Sequence, residues 1–540
     1  MNSMKTIITI IALFMSMSTF AQWTADTSTN TLVVDSDGGD MKAIGTSDGE
    51  TYVVFWKVVA PPTNYELRMQ VLDVDGNQTL GPDGMLVSNT ISMSTFTVIW
   101  NIITDEDDNI YIGVTGTGGG DPAFAFKLDS SGNHLWSPGG VNVGSGFVPT
   151  ILPLSSGEAI VSWYPGTESV MQKYDASGTA VWGSTQAIVN GGSNTVPANL
   201  YELSGGDFMV VFHSLIGGIN SNLFAQRYNA AGVLQWGTPT QLSNQATVFN
   251  RSYGGVQDGD VVYYGYFGST GVRFDSFLQR INDDGTLPWG INGSDFDTNQ
   301  TDYEMDTRIA FDSSSSSIWA VCTYTNTSQS EKGEYVQKFD KATGVRELTD
   351  TAKVVYAISS DDNVHAGALQ LKNDSPLFLL KSGMDNGVSP TTLGVVYLDV
   401  NGDFVWPEES RPVATFSANK SRIQYTKPVN NQSVAVFIEE KSSAPKIYAQ
   451  NFLDEELAID DFGVQISISY NNPVGNELRI ESNQTIEYVS IYSMLGQEIV
   501  SKNYSGKLKL SLETSNWANG FYLVRVMTTE GQLKNFKVLK

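Results

Sequence analysis

The sequence predicts an all-β protein in which a long array of repeats is followed by a smaller second domain. Three observations support this fold class. Glycine is frequent, with 51 of 540 residues, and 11% of residues are aromatic while only 17% are charged, a composition typical of chains rich in turns and strands. Long heptads and uninterrupted helical stripes are absent from the sequence. A strand, turn and strand unit recurs along most of the chain, and the character of the sequence changes near Val464.

The first 21 residues have the features of a secretory signal peptide. Lys5 precedes the apolar run Ile7–Met17, and Ala21 ends a small-residue cleavage site. We assign residues 1–21 to this signal and place cleavage before Gln22, which is not the cysteine that a bacterial lipid anchor requires. No stretch reaches the ~20 apolar residues that span a bilayer, so the sequence predicts no transmembrane segment.

The repeat is clearest between residues 170 and 182. Residues 170–174 alternate as an extended run, residues 175–178 supply a turn, and Trp182 follows in a second extended run. The Asp175 carboxylate can accept hydrogen bonds from the amides that follow it, and Gly178 can adopt positive φ without a Cβ clash. Turn chemistry therefore explains the Asp and the Gly of the repeat.

Equivalent turns recur about every 50 residues. The shortest interval is 46 residues, from Gly132 to Gly178, and the longest is 59, from Gly285 to Gly344. This is the period of a four-stranded propeller blade. The turn glycines are Gly76, Gly132, Gly178, Gly232, Gly285, Gly344 and Gly402, and the residues four positions later are Leu80, Trp136, Trp182, Trp236, Trp289, Leu348 and Trp406.

We expect the tryptophans to pack between neighbouring repeats. An indole is large and its N–H needs a partner when buried, so recurrence in register indicates contact with the next repeat. The residues that we assign to this structural role are Trp136, Trp182, Trp236, Trp289 and Trp406 with Gly132, Gly178, Gly232, Gly285 and Gly402.

The two ends of the array predict the number of blades. Residues 447–452 match the strand before a repeat turn but lack the strand that follows, whereas Trp23 and Thr31–Val34 resemble the missing half. Seven complete turns and one blade assembled from both ends predict an eight-bladed β-propeller over residues 22–455, with a seven-bladed ring as the alternative. Closure by the N-terminal strand removes open sheet edges.

Net charge restricts the partners. A formal charge of −26 argues against a nucleic acid or an anionic lipid surface and is compatible with divalent cations.

Few residues suggest chemistry. Residues 73–77 and 105–108 could offer oxygen ligands to calcium, but the first group coincides with a repeat turn and neither has a glutamate at loop position twelve, so we favour solvated turns. His134, His213 and His365 have no metal-ligand spacing, and we interpret them as structural. Cys322 lies in a strand pattern and is expected to be a buried, inert thiol. The serine run 313–317 and the glycine run 116–120 are expected to be loops. We therefore assign no catalytic, cofactor-binding or metal residue from the sequence.

Beyond an acidic linker, residues 456–463, the sequence predicts a separate domain over residues 464–540. No further turn of the repeat type appears there. Alternating runs suit a small immunoglobulin-like β-sandwich. The predicted strands are Ile466–Tyr470, Leu478–Ile480, Val489–Tyr492, Lys507–Leu512 and Phe521–Met527.

The pattern Asp-x-x-Gly-x-x-x-Trp, strict at Asp129 and Asp175, resembles the tryptophan-docking repeat of eight-bladed quinoprotein dehydrogenases and their non-enzymatic relatives. That resemblance implies architecture. Those enzymes typically use a calcium-held quinone, an acidic base and, in many members, adjacent cysteines, whereas this chain has one cysteine and no acid that aligns with the base.

The C-terminal domain resembles the type A C-terminal sorting domain of the type IX secretion system of Bacteroidota. The motifs that carry the resemblance are residues 472–474 (Asn-Pro-Val), 491–498, 519–525 (Asn-Gly-Phe-Tyr-Leu-Val-Arg) and the lysine-bearing end 534–540. The matching residues are Pro473, Leu495, Gly496, Gly520, Tyr522, Lys537 and Lys540. The resemblance implies export to the periplasm, recognition by the type IX machinery, secretion or display on the outer-membrane surface, and removal of the domain. We expect cleavage near residues 454–461, because an extended polar linker is accessible backbone, and the alternative is a permanent domain that binds a partner itself.

Two function classes follow. The favoured hypothesis is an extracellular binding or adhesion module for a glycan or a protein, with Tyr263, Tyr264 and Tyr266 as exposed contacts. The alternative is a secreted enzyme, a hydrolase or a quinoprotein-like protein, whose acids converge in the propeller channel.

Overall fold

A computed structural model describes residues 23–35, 40–60, 65–93, 98–117, 120–217, 220–248, 253–269, 271, 273–441, 445–454, 468–493, 496–529 and 533–540. The expected signal peptide and the linker 456–463 lie outside these residues. The chain divides into two compact units, of which one ends at Leu453 and the other begins at Asp454. Within the described residues the regular elements are strands and one short 3-10 turn, Ser204–Gly206, which confirms the all-β prediction.

In its described part, the first unit contains eight antiparallel sheets, which we number in chain order. Sheet 1 contains β2 (Met41–Gly45), β3 (Thr51–Val58), β4 (Tyr65–Leu72) and β5 (Met85–Ser88), and sheet 2 contains β6 (Val98–Thr104), β7 (Ile110–Thr115), β8 (Pro122–Leu128) and β9 (Val141–Ser145). Sheet 3 contains β10 (Phe147–Pro153), β11 (Ala159–Tyr164), β12 (Val170–Tyr174) and β13 (Gln186–Ala187). Sheet 4 contains β14 (Thr195–Glu202), β15 (Phe208–Gly217), β16 (Asn220–Tyr228), β17 (Thr240–Gln241) and β18 (Thr247–Val248).

Sheets 5 to 7 repeat this meander. Sheet 5 contains β19 (Gly254–Asp258), β20 (Val261–Ser269), β21 (Phe274–Ile281) and β22 (Ser294–Asp295). Sheet 6 contains β23 (Tyr303–Ala310), β24 (Ser317–Thr325), β25 (Lys332–Asp340) and β26 (Lys353–Ser359). Sheet 7 contains β27 (Val364–His365), β28 (Gln370–Lys372), β29 (Ser375–Ser382), β30 (Thr391–Tyr397) and β31 (Ser410–Ala418).

Sheet 8 is built from both ends of the unit. Its strands are β32 (Lys420–Tyr425), β33 (Gln432–Glu440), β34 (Pro445–Leu453) and β1 (Thr31–Val34). Strand β1 pairs antiparallel with β34, with Thr31 opposite Ala449. The expected pairing between the two ends of the array is therefore present.

The sheets follow one another around a common axis. In sheets 1 to 6 the first strand of one sheet contacts the first strand of the next. Strand β27 of sheet 7 contacts β24 and β25 of sheet 6, β31 contacts β33 and β34 of sheet 8, and β32 of sheet 8 contacts β2 of sheet 1. This order is that of a propeller, in which neighbouring sheets cover each other's faces. Strand β24 shows the consequence, because all nine of its residues are buried. Separate apolar clusters fill the spaces between adjacent sheets.

The predicted strand after each turn is interrupted. After the turn at Gly178, Ala180 makes a single bridge with Tyr174, and the fourth strand β13 begins only at Gln186. Trp182 lies between the two and is not in a strand, contrary to the sequence interpretation. The chain leaves the sheet here because the indole contacts the neighbouring sheet.

In its described residues the second unit has one sheet of five strands. They are β35 (Ile468–Tyr470), β36 (Glu477–Ser493), β37 (Glu498–Glu513), β38 (Phe521–Thr528) and β39 (Leu533–Leu539). The two strands predicted at 478–480 and 489–492 are one strand, and 507–512 is part of the longer β37. Register shifts between Glu481 and Tyr488 bend the β36–β37 pair. Both halves of β36 can thus contribute to one core.

No helix in the described part of the chain is long and apolar enough to cross a membrane.

Candidate functional site

The seven repeat turns have one backbone geometry. The φ angles of their glycines lie between 72° and 84°, in the left-handed region. The Asp175 carboxylate accepts the backbone N–H of Ser177 and of Thr179, each at 2.9 Å. The side-chain hydrogen bond from Ser177 is the largest cause of the lowered pKa of Asp175. The turn that begins at Asp340 is one residue longer: the Gly344 N–H donates to the Asp340 carbonyl four positions back, whereas the other turn glycines donate to the carbonyl three positions back.

Five tryptophan rings, which we call the docking indoles, lie against the turn glycine of the following repeat. A Cβ added to Gly178 would stand 2.7 Å from Cγ of the Trp136 indole. The pairs with this arrangement are Trp23 on Gly76, Trp136 on Gly178, Trp182 on Gly232, Trp236 on Gly285 and Trp289 on Gly344. Two glycines meet other side chains, with Met85 at Gly132 and Leu348 at Gly402. The glycine thus accommodates both a left-handed backbone and an adjacent side chain.

Most docking indoles also donate a hydrogen bond. The acceptor is the carbonyl of the residue two positions before the glycine, in the following repeat. The Nε1–O distances are 2.9 Å from Trp23 to Val74, 3.2 Å from Trp182 to Ala230, 3.0 Å from Trp236 to Asp283 and 3.3 Å from Trp289 to Ala342. Trp136 differs, because its buried Nε1 has no partner within the described residues. Trp406 packs instead on Phe452 of β34, with ring centroids 5.9 Å apart.

A second link between sheets was missed by the sequence analysis. In three turns that join the first and second strands, a serine donates its N–H and hydroxyl to one carboxylate of the next sheet. The pairs are Ser47 with Asp108, Ser155 with Glu202 and Ser204 with Asp260. The recurring pattern Ser-x-Gly-acid at residues 47–50, 155–158 and 204–207 is the signal that could have identified these turns.

The segment before β1, residues 23–30, makes polar contacts with sheet 8. The Asn30 amide donates to both oxygens of the buried Glu439 carboxylate at 3.0 Å. Glu439 also pairs with the buried Lys420 at 3.0 Å. The Gln450 amide donates to the carbonyl of Thr24 at 2.7 Å.

A cleft of about 390 Å³ lies where sheets 6, 7 and 8 begin, and this volume falls within the range of ligand pockets. It is lined by residues near the start of the first strands and by loops between second and third strands. Its charged residues are Asp306, Lys332, Lys381, Asp385 and Arg422, and His365 also lines it. We call these residues and their neighbours the cationic cleft.

Two lysines converge on one carboxylate in the cationic cleft. Lys332 Nζ lies 2.7 Å from Asp385 Oδ2, and Lys381 Nζ lies 2.5 Å from Asp385 Oδ1. Burial opposes ionisation of this carboxyl, but the hydrogen bonds from both lysines lower the pKa of Asp385 to about 2. Asp385 is therefore an anion that orients both ammonium groups.

Bulges in the first strands direct two charged residues into the cleft. Asp306 has φ 54° and Arg422 has φ 53°, and each lies at a register shift in β23 or β32. Bulges re-aim side chains, and a left-handed non-glycine residue costs on the order of 1–3 kcal/mol. Sheet 3 has the same feature at Val148, with φ 56°.

His365 lines the cationic cleft with a buried carboxylate behind it. Its Nδ1 lies 2.6 Å from Glu334 Oε1, and its backbone N–H donates to Glu334 Oε2 at 3.1 Å. Glu334 is fully buried and also accepts the Thr323 hydroxyl at 3.3 Å. A carboxylate in this position orients an imidazole ring.

Other acids are buried between sheets 5 and 6, away from solvent. Burial and the nearby Asp297 carboxylate raise the pKa of Glu304 far above its ordinary value. The Tyr324 hydroxyl donates to Asp297 at 2.7 Å. Neither acid lines the cationic cleft.

The tyrosines proposed as exposed contacts are buried, so that prediction was wrong. Tyr263, Tyr264 and Tyr266 lie on β20, and at most 3% of each is exposed. The Tyr264 hydroxyl donates to Asn199 of sheet 4 at 2.8 Å, and Tyr263 packs on Trp289. Sheets on both sides cover β20, so its alternating tyrosines have no solvent-facing side.

The remaining candidates have structural surroundings. Cys322 is buried, as expected, and burial raises the pKa of its thiol. His213 is buried, and burial lowers its pKa to about 4. Asp73 accepts amide donors of Asn77, and Asp105 pairs with Lys127. The described part of the chain contains no group of three or more His, Cys, Asp and Glu side chains placed to hold a metal ion.

Motifs of the C-terminal unit meet at one end of its sheet. The Val474 N–H, which follows Pro473, donates to the Leu539 carbonyl at 2.7 Å, and Gly520 and Lys540 exchange backbone hydrogen bonds of 2.9 and 3.1 Å. The Tyr522 hydroxyl donates to the Ala518 carbonyl at 2.9 Å.

The other motif residues lie elsewhere in this unit. Gly496 forms the turn before β37 with φ 80°, and Lys537 lies on β39 opposite Leu523. Leu495 lies outside the described residues. A groove of about 540 Å³, lined by Tyr470, Arg479 and Lys509 among others, also belongs to this unit.

The expected cleavage region is only partly described. Asp454, its first residue, is buried and is not part of an exposed joint. The rest of the expected region, residues 455–461, lies outside the described residues.

Residues 469–540 match the family described as the secretion system C-terminal sorting domain. No curated protein sequence matches the chain.

Similar solved structures include propellers and peptidases. The Dos1 propeller is 9% identical with a TM-score of 0.44, covering 79% of this chain and 95% of that one. Apo prolyl oligopeptidase B from Galerina marginata is 13% identical with a TM-score of 0.40, covering 75% of this chain and 56% of that one. The acylaminoacyl peptidase of Pyrococcus horikoshii is 9% identical with a TM-score of 0.36, covering 72% and 58%. The match thus spans less than two thirds of either peptidase chain, and likeness at this level carries no information on activity.

Proposed function

Starting from a chain that carries the sorting domain of the type IX secretion system and is thereby directed to the medium or the outer-membrane surface, we propose that its propeller is an extracellular binding module. The partner is a glycan or a protein, and the cationic cleft is the contact surface. We also propose that the eight sheets are eight blades of one ring and that the C-terminal sheet folds as an immunoglobulin-like sandwich.

The pairing of β1 with β34 supports the blade count. The Trp23 indole donates to Val74 of sheet 1, as later indoles do from one repeat to the next, so sheet 8 contacts sheet 1 as an ordinary neighbour. A ring closed in this way leaves no sheet in need of a further partner.

The convergence of charged residues from three sheets at the cationic cleft is the observation that supports the binding function. Loops and strand ends of three sheets bring together charged residues that are more than 100 positions apart, from Asp306 to Arg422. Loops positioned by a rigid scaffold commonly carry binding sites. A second cleft, at sheets 2 to 4, is lined by the acids Asp105, Glu106, Asp107 and Glu202 and by no basic residue, so of these two clefts only the cationic cleft offers cations to a ligand.

The test is a binding screen with residues 22–540 against glycan arrays and surface proteins of co-occurring cells. We expect at least one ligand whose binding falls in the variant Lys381→Gln and persists in Lys353→Gln. Lys353 is a partly exposed lysine, with 26% of its side chain exposed against 12% for Lys381, that pairs with Asp403 and lies outside the cleft. Ligands that bind both variants as tightly as the parent chain would place the contact surface elsewhere.

A secreted enzyme is the second candidate, and the His365–Glu334 pair favours it. An imidazole oriented by a buried carboxylate is suited to general base catalysis. Product release from a panel of polysaccharides, measured for the parent chain and for His365→Gln, tests this role. Turnover that is absent in the parent, or unchanged in the variant, excludes it.

A further inference from the structure

We infer that the cationic cleft binds the negatively charged group of an acidic saccharide, a carboxylate or a sulfate, through Lys332, Lys381 and Arg422. This inference rests on the proposed binding function and specifies its ligand class.

The charge of the cleft is opposite to that of the chain. The whole sequence has 58 acidic and 32 basic residues. The cleft is lined by three cations and two carboxylates, a formal net charge of +1, and Asp385 is shared by two lysines while Asp40 lies beside Arg422 at 3.7 Å. A local concentration of positive charge on an acidic protein steers anions to that place and repels them elsewhere.

The cations retain donors for a ligand. An ammonium has three N–H groups, and the described contacts of the Lys332 and Lys381 ammonium groups are those to Asp385. Arg422 Nε lies 3.7 Å from Asp40 Oδ1, which is too long for a hydrogen bond, and 48% of its side chain is exposed. The planar guanidinium can therefore bind a carboxylate or sulfate with two parallel hydrogen bonds.

The backbone conformation of Arg422 places its side chain in the cleft. Its φ of 53° is unfavourable for a residue with a Cβ, and glycine would adopt it freely. The strained residue is also one of the most exposed cations of the cleft. The same conformation occurs in the first-strand bulges of sheets 3 and 6, and its consequence in sheet 8 is that a guanidinium is directed into the cleft.

The other lining groups suit a saccharide. Asp306 and Asp385 can accept hydroxyl hydrogen bonds, and Gln329, Thr325 and Ser421 can donate or accept. Alternating acceptors and cations match a polymer that carries both hydroxyl and acidic groups. We therefore favour an acidic saccharide over an acidic peptide.

The experiment is titration calorimetry on residues 22–540 at 20 and 300 mM NaCl. The probes are an oligogalacturonate, a sulfated galactan oligosaccharide, a neutral galactan oligosaccharide and a polyglutamate peptide. We expect at least one acidic saccharide to bind at least ten-fold more tightly than the neutral one and the peptide. Arg422→Gln and Lys381→Gln should each weaken that binding at least five-fold, and Lys353→Gln should leave it unchanged.

Three results overturn the inference: equal binding of the neutral saccharide, preferred binding of the peptide, or acidic binding that is unaffected by both cleft variants. A neutral glycan or a protein whose binding is lost in Lys381→Gln would retain the proposed function and reject the acidic ligand. No cleft-dependent binding by any probe or screened partner would reject both.

Arg422→Gly separates binding from folding. Because glycine relieves the left-handed strain, we expect the melting temperature to stay equal or rise while binding of the acidic saccharide falls as in Arg422→Gln. Retained binding with a lower melting temperature would show that Arg422 has a structural role instead.

Discussion

At the scale of single residues, the repeat depends on a small set of paired positions. Each turn glycine adopts a left-handed backbone and lies against a side chain of another repeat, usually an indole. Glycine and tryptophan therefore recur together because the first leaves room for the second.

Replacing Trp182 with alanine tests the docking role. Trp182 is largely buried, contacts Gly232 and donates to the Ala230 carbonyl. We expect the free energy of unfolding to fall by about 3–5 kcal/mol, as for other buried tryptophans. The neighbouring Val181 is 44% exposed, and Val181→Ala should change it by less than about 0.5 kcal/mol. Denaturant unfolding measures both, and a stable Trp182→Ala protein would contradict the role.

Two turn glycines allow the cost of backbone strain to be measured separately from the cost of a side-chain clash. Gly178 and Gly157 have φ of 81° and 83°, but a Cβ would meet Trp136 at Gly178 and nothing within 4 Å at Gly157. Gly157→Ala should cost roughly 1–2 kcal/mol of unfolding free energy through backbone strain alone. Gly178→Ala should cost about 1–3 kcal/mol more through overpacking. Equal losses in thermal unfolding would mean that the indole moves aside freely.

The lowered pKa of His213 predicts that the folded protein loses stability in mild acid. Its folded pKa of about 4 lies below its ordinary value, so above pH 7 the ring is neutral in both states and has no effect. As pH falls below about 6.5, the unfolded chain binds a proton that the folded chain does not, and stability decreases until about pH 4. We expect His213→Gln to reduce the loss between pH 7.5 and pH 5 by about 2 kcal/mol. Identical pH dependence of denaturant unfolding in parent and variant would contradict this.

Among the elements, β1 is the strand that joins the two ends of the first unit. It supplies the outer strand of sheet 8, and the segment before it carries the contacts of Trp23 and Asn30. A strand from the opposite end of a unit contributes to stability far more than its four residues suggest, because its absence exposes a sheet edge.

Deleting residues 23–35 should therefore lower the melting temperature markedly and promote aggregation. Asn30→Ala should give a smaller loss of about 1–3 kcal/mol, since it leaves one buried Glu439 carboxylate with fewer donors. Thr29→Ala, at an exposed neighbour, is the control. Differential scanning calorimetry that shows no change on deletion would reject ring closure by this segment.

At the scale of the whole molecule, the two units have separate tasks. The first carries the cationic cleft, and the second matches the sorting domain family over residues 469–540. The division of the chain at Leu453 and Asp454 agrees with this separation.

Deleting residues 464–540 in the source bacterium tests the export route. We expect the truncated protein to accumulate in the periplasm, because the outer-membrane machinery then lacks its recognition domain. Cell fractionation and immunoblotting measure this, with the full chain expressed from the same vector as control. Undiminished protein at the surface or in the medium would show that another segment directs export.

The features of this protein that depend on local chemistry follow from its sequence alone. Turn positions, strand alternation and the repeat period follow from short-range rules, so the all-β class, the turn glycines and the pairing of the two ends could be predicted. The sorting motifs were also readable, because they occur as short runs of residues.

Which residues face solvent and which come together depends on how the sheets pack. Tyr263 resembled an exposed contact, but neighbouring sheets cover both sides of its strand. The cationic cleft joins Asp306, Lys381 and Arg422 from three sheets, and the left-handed backbone at Arg422 has no signal in the sequence. Local rules cannot predict such a site, because its geometry is set by the packing of sheets about one axis and not by any neighbouring residue.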